Sequence, residues 1–306
     1  MGGRERPSRP TTCPRRVTIA NVRFAVFTVS LPDWTPEEAV GHLAALGYDG
    51  VEWRVTDQPA SETPGFWAGN RCTWPFATFV DDAPRIRALT EAAGLAMPNV
   101  GTYVACTDAD SVERAMAGAA RAGAPAIRVQ VARYDGRSPY LPQRDRALAA
   151  FEGVARMAER HGVRALVELH FETLLPSASA AASFLGRFDP QHAGVIHDAG
   201  NMVFEGFESY RMGLEVLGPY VAHVHLKNAW WKRTPSGWHA EFAPLRDGVV
   251  DVTALLTALA AVGYDGWVSF EDFSTAQPLL ERTGDNLAYV KELLARQPRV
   301  APSPTA

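Results

Sequence analysis

A chain of 306 residues with 47% hydrophobic and 21% charged side chains can bury a full core, and its net charge of −4 supplies no basic field for nucleic acid or an anionic membrane. Its apolar runs are strand-sized, well short of the ~20 residues that a membrane-spanning helix needs. Cys13, Cys72 and Cys106 are far apart and match no C-x-x-C pattern, which argues against a disulfide framework or thiolate zinc site and for the reducing cytoplasm.

In chain order, residues 1–20 carry Arg4, Arg6, Arg9, Arg15 and Arg16 among prolines without the apolar stretch of a signal peptide, so a disordered leader or an over-long start is predicted there. Arg23–Ser30 reads as a first strand. A unit then recurs in which an alanine-rich helical pattern ends at a glycine and a short apolar strand follows. It appears as LAALGYDGVEWRV (43–55), TEAAGLAMPNVGT (90–102), GAARAGAPAIRVQV (118–131) and MAERHGVRALVELH (157–170). Ala193–Asp198 supplies another strand, and the unit returns as LEVLGPYVAHVHLK (214–227) and LAAVGYDGWVSFED (259–272). Glycines 47, 94, 123, 162, 218 and 263 suit the left-handed residue that closes a helix. Residues 297–306 are rich in Pro and Ala and read as a loose tail.

Eight near-continuous apolar strands alternating with helices imply a parallel sheet buried on both faces. With no visible domain break, residues 21–296 read as one α/β domain, a (β/α)8 TIM barrel, in preference to an open doubly wound sheet. No G-x-G-x-x-G follows the first strand.

In such a barrel, functional groups sit where strands end. VELH offers Glu168 and His170, VIHD offers His197 and Asp198, AHVHLK offers His223, His225 and Lys227, and VSFED offers Glu271 and Asp272. Glu168, Asp198, His225 and Glu271 lie on four consecutive strands and would converge on the barrel axis. One strand carboxylate alone is usually an edge or salt-bridge residue. Three buried together without a cation would repel at a cost of several kcal/mol apiece. The quartet therefore points to one divalent metal, Mn²⁺ foremost, with Mg²⁺, Co²⁺ or Zn²⁺ also suited to three carboxylates and an imidazole. Strand alternation puts His223 on the same side as His225, one layer deeper.

These residues carry a family likeness. The sequence resembles the xylose isomerase-like barrels of the sugar phosphate isomerase/epimerase family, which include ketose 3-epimerases, hydroxypyruvate isomerase, inosose dehydratase and dehydroshikimate dehydratase. The likeness spans residues 22–296 and is most specific at GYDGVEWR (47–54), VELH (167–170), HDAGN (197–201), HVHLKN (223–228) and GYDGWVSFE (263–271). The resemblance implies that Glu168, Asp198, His225 and Glu271 are the metal ligands and that the two glutamates are the catalytic proton-transfer pair. It also implies that His170 and Lys227 face substrate. The sugar epimerases often place a histidine three residues after the aspartate; here that residue is Asn201, counted among the substrate-binding candidates.

The implied chemistry is α-proton abstraction from a keto sugar or cyclitol, with the metal stabilising the enediolate. Protonation on the opposite face epimerises, protonation of the neighbouring carbon isomerises, and loss of a β-leaving group makes a lyase of the inosose dehydratase or 3-keto-glycoside type. Two long strand-to-helix loops, about 56–81 and 228–250, hold five of the eight tryptophans, Trp67 and Trp230 among them. Such a rim suits a ring-shaped substrate. Arg54 and the alternating pair Arg128 and Gln130 are candidates to bind hydroxyls. His239 in the second loop is a fallback catalytic base alongside His170. A homo-oligomer or a small partner subunit fits this reading, whereas nucleic acid and membrane partners do not. An abasic-site endonuclease needs more histidine ligands on early strands than this chain has, and an idle binding barrel would not keep the quartet.

Overall fold

The computed structural model describes residues 22–296 of the 306, so the leader expected over 1–20 and the tail expected over 297–306 lie outside the described residues. The barrel strands are β1 (Arg23–Phe27), β2 (Gly50–Val55), β4 (Val100–Thr102), β5 (Ala126–Arg128), β6 (Arg164–Glu168), β7 (Ala193–Asp198), β8 (Val221–Leu226) and β11 (Trp267–Phe270). A two-residue strand, β3 (Thr73–Trp74), pairs in parallel with the last residues of β2. All pairings around the ring are parallel, and β1 bonds both β2 and β11, which closes the sheet into the expected (β/α)8 TIM barrel.

The helices follow the strands and cover their outer faces. They are α1 (Pro36–Leu46), α2 (Phe79–Ala92), α3 (Ala109–Ala122), α4 (Tyr140–His161), α5 (Ala178–Leu185), α6 (Ala199–Phe204), α7 (Tyr210–Leu217), α8 (Val252–Ala261) and α9 (Leu279–Arg296). Local chemistry sets their starts. Thr35 and Glu38 form a reciprocal capping box on α1 with Pro36 in the first turn, and Asp108 and Asp251 cap α3 and α8. All six glycines expected to close helices have positive φ. Gly218 differs in ψ, at −123°, because it opens a 3-10 turn, Gly218–Tyr220, and does not simply cap α7.

Alternation along each strand separates two environments. On β2, Trp53 points outward and bonds Thr90 on α2, whereas Glu52 points inward to histidines of β8. Ala126, Leu166 and Ile196, from three adjacent strands, form a small apolar cluster of their own. Each lies two residues before a charged strand-end residue: Arg128, Glu168 or Asp198. The interior is thus apolar below and ionic at the strand ends, as a filled barrel with its site on one face requires.

The second long loop departs from the expectation of irregular chain. Asn228–Thr234 (β9) and Gly237–Ala243 (β10) pair as an antiparallel hairpin, with Ala243 opposite Asn228 and Trp238 opposite Arg233. Asn228 anchors its base, donating to Leu245 and Val250 carbonyls and accepting from Ala229 and Val250 amides. Thr, Trp and Phe along these stretches favour strand once such an anchor fixes the register.

Candidate metal centre and substrate cavity

Four consecutive strand ends bring Glu168, Asp198, His225 and Glu271 together with their donor atoms within 4.8 Å of one another. His225 Nδ1 lies 3.1 Å from Glu168 Oε1, 3.6 Å from Glu271 Oε2 and 3.7 Å from Asp198 Oδ2. An octahedral ion with bonds of about 2.1 Å holds neighbouring ligand atoms about 3 Å apart, so the spacing suits a small divalent cation.

Asp198 shows how the fold aims a ligand. Its Oδ1 accepts from the Asn201 amide and caps α6, while its Oδ2 is buried without a hydrogen-bond partner. Lys227 Nζ approaches that oxygen to 2.8 Å, off the hydrogen-bonding direction, and bonds Glu271 Oε2. The lysine reaches this position because residue 200 is glycine: a Cβ there would lie 2.4 Å from Lys227 Cγ. Asn201 donates to Glu168 Oε1 and to the Leu169 carbonyl. It is buried behind the ligands and does not line the cavity.

Charge balance also favours a cation. Four buried carboxylates, Glu52, Glu168, Asp198 and Glu271, face two permanent cations, Arg128 and Lys227, and the imidazoles of His223 and His225. Burial would raise Glu168, but Arg128 and His225 hold its carboxyl well below the usual range. Burial would lower His225, yet Glu52 and Glu168 keep it well above an ordinary histidine. Asp198 carries the excess: burial, with Glu168 and Glu271 nearby, pushes its carboxyl up to about 7 despite Lys227. A dication on neutral His225 would match the four carboxylates in full. The donor set, the unsatisfied Asp198 oxygen and this imbalance all fit a divalent metal.

Above the cluster opens a cavity of about 420 Å³. Glu168, Glu271, Lys227 and Arg128 form its polar floor, and His170 and Gln130 also line it. Arg128 donates to Glu168 Oε2 at 2.7 Å and to the Thr102 carbonyl, its plane held against Tyr103. Its Nη2 is buried and unpartnered. Burial lowers the pKa of His170, which favours the neutral ring, and its Nδ1 lies 2.8 Å from the Phe171 carbonyl. The wall holds the rings of Trp67, Phe273, Phe242, Phe171 and His170, with Phe204 packed behind between Phe242 and Phe171, and successive centroids lie 4.4–5.1 Å apart.

Other candidates stand elsewhere. Arg54 is buried, and its guanidinium bonds Tyr103, Gln58 and Thr73, bracing the first long loop outside the cavity lining. Trp230 bonds Glu241 across the hairpin, and His239 sits exposed on the hairpin against Ser236. Neither lines the cavity, because alternation puts both on the face of the hairpin opposite Phe242. Asp272 is fixed by Ser274 and Asn286, and His197 is buried with neither ring nitrogen partnered. His223 does lie one layer deeper than His225, bonded to Glu52.

Sequence reasoning missed Glu52 and the rings Phe171, Phe242 and Phe273. Glu52 left a readable signal, an acidic residue amid Val51, Trp53 and Val55 on a strand buried on both faces. The rings left none, since they come from three unrelated loops.

A family model described as a xylose isomerase-like TIM barrel matches residues 40–293. No curated protein matches the chain in sequence. Among solved structures, it resembles a 3-keto-D-glucoside 4-epimerase from E. coli with 17% identity and a TM-score of 0.68, over 89% of this chain and 99% of that one. An L-ribulose 3-epimerase matches with 16% identity and a TM-score of 0.69, over 90% and 95%. A xylose isomerase-like TIM barrel protein from Mycobacterium smegmatis, solved with magnesium, matches with 17% identity and a TM-score of 0.64, over 90% and 98%. At these identities the likeness establishes the fold.

Proposed function

The chain belongs to the xylose isomerase-like TIM barrel family, and from that premise we propose that it is a divalent-metal-dependent isomerase or epimerase of a keto sugar or cyclitol. One observation carries the reading: two glutamates, Glu168 and Glu271, reach the cavity floor from strands three steps apart around the ring and flank His225 and Asp198. Glu168, Asp198, His225 and Glu271 would hold the ion, Mn²⁺ or Mg²⁺. When bound, the ion would polarise a substrate carbonyl and acidify the adjacent C–H.

The remaining work falls to the chain's own groups. Glu168 or Glu271 removes the α-proton from one side, and the other returns a proton from the opposite side. Arg128 Nη2, buried and unpartnered, donates to a substrate oxygen, and Lys227 Nζ lies close enough to both Asp198 and Glu271 to stabilise negative charge there. The aromatic wall excludes water and stacks on the apolar face of a ring. Cys72 and Cys106 are free and buried, their thiols raised by burial, which supports the cytoplasm as the setting. Among the described residues no helix is long and apolar enough to cross a membrane.

The test is proton NMR in D₂O with the Mn²⁺-treated and then Mg²⁺-exchanged enzyme on a panel of ketoses, inososes and 3-keto-glucosides. Deuterium entering the α position with an isomeric product is expected. Release of water or aglycone together with an unsaturated ketone, and no isomer, would instead make the enzyme a lyase, the elimination branch of the same chemistry.

A further inference from the structure

Glu52 is fully buried on the second barrel strand, beneath the proposed metal centre, and does not line the cavity. A carboxylate so placed is costly unless hydrogen bonds satisfy it. Its oxygens meet three partners. Oε1 accepts from Asn99 Nδ2 at 2.8 Å, Oε2 lies 2.9 Å from His223 Nε2, and both lie 3.1 Å from His225 Nε2. The opposite nitrogen of His225, Nδ1, faces Glu168, Asp198 and Glu271. Phe27 stacks on the imidazole with centroids 5.4 Å apart, and it fits there only because residue 101 is glycine, whose Cβ would lie 2.2 Å from the Phe27 ring. The imidazole is therefore held in plane by Phe27 and in rotation by Glu52.

An imidazole binds a metal through a bare nitrogen, and the hydrogen bond made by the other nitrogen decides which one is bare. We propose that Glu52 is a positioning residue that accepts the Nε2–H of His225 and so leaves Nδ1 bare and aimed at the metal. Asn99 and His223 satisfy the rest of the carboxylate, so that it faces His225 in one orientation. The proposal rests on the metal centre proposed above and adds a buried partner that no ligand count includes. Glu52, His223 and His225 also lie close enough to hold a cation of their own. Asn99 already donates to Glu52 Oε1, and neither Glu52 nor His223 lines the cavity, which favours the hydrogen-bonded reading.

The full-length protein, stripped with chelator and titrated with Mn²⁺ by calorimetry, tests this together with ¹⁵N-histidine spectra of the Mg²⁺-loaded form. Wild type should bind one ion, and Glu52→Gln should bind it about 10- to 100-fold more weakly. The His225 signal of wild type, assigned by its loss in His225→Asn, should carry its proton on Nε2 and none on Nδ1. The Nε2–H proton of His225 should also resonate at the low field of a proton hydrogen-bonded to a carboxylate, a signature a merely structural Glu52 would not give and one that wild type shows even if Glu52→Gln fails to fold; its absence would overturn the proposal too. An affinity of Glu52→Gln within twofold of wild type, a proton on Nδ1, or two ions per chain would each overturn the proposal. Wild type that binds no Mn²⁺ would overturn the metal centre itself, a distinct result.

Discussion

At and just beneath the floor of the cavity, Glu168, Asp198, His225 and Glu271 are buried at strand ends and surrounded by Arg128, Asn201, Lys227 and Glu52. At its rim, Trp67 is 52% exposed, and the hairpin carries Trp231 and Trp238 into solvent at 47% and 63%. Every floor residue is positioned by the barrel sheet, which cannot shift one strand without its neighbours, whereas the rim is held by a few ring contacts and by Asn228 at the base of the hairpin. The contrast teaches where each property resides: bond-making chemistry on the sheet, and choice of substrate on the loops.

The largest expected effect breaks the floor. Asp198→Asn should weaken Mn²⁺ binding by more than about 100-fold and abolish turnover, because the oxygen aimed at the ion loses its charge. The melting temperature should hold or rise. The amide still caps α6, and the variant removes a buried carboxyl whose pKa is pushed up to about 7 by burial and by Glu168 and Glu271. The sign follows: a carboxyl raised above its unfolded value destabilises the metal-free fold as pH rises past the unfolded value of about 4, and the variant lacks that loss. Calorimetric titration and thermal melts check both halves, and near-normal Mn²⁺ affinity would remove Asp198 from the centre.

A smaller effect should follow at the rim. Trp67→Ala should raise KM by about 3- to 10-fold, the worth of one aromatic contact, while kcat and Mn²⁺ affinity stay within about twofold of wild type. His239→Ala on the exposed hairpin should change neither, and steady-state kinetics on the same substrate compare the two. A fall in kcat at Trp67→Ala with KM unchanged would erase the division between floor and rim.

The same division governs what could be read in the sequence. The barrel and its quartet were legible because strands in this fold recur with helices between them, and a carboxylate closing a buried apolar run stands out: Glu168 after Leu166-Val167, Asp198 after Val195-Ile196-His197. Arg128 followed from alternation and Lys227 from the family likeness, and both reach the cavity floor. Arg54 was read from its place at the end of the second strand, yet Tyr103, Gln58 and Thr73 occupy its guanidinium, partners that no local pattern reveals. The rim had no period to read. Trp230 and His239 looked like loop residues near the mouth, and only the pairing of β9 with β10 sends them away from it.

Anomalous scattering from a crystal of the full chain soaked in Mn²⁺ tests the account most directly. One peak per chain is predicted, bounded by Glu168, Asp198, Glu271 and the Nδ1 edge of His225, with Glu52 on the far side of that imidazole. A well-ordered site with no peak between these four side chains would contradict it.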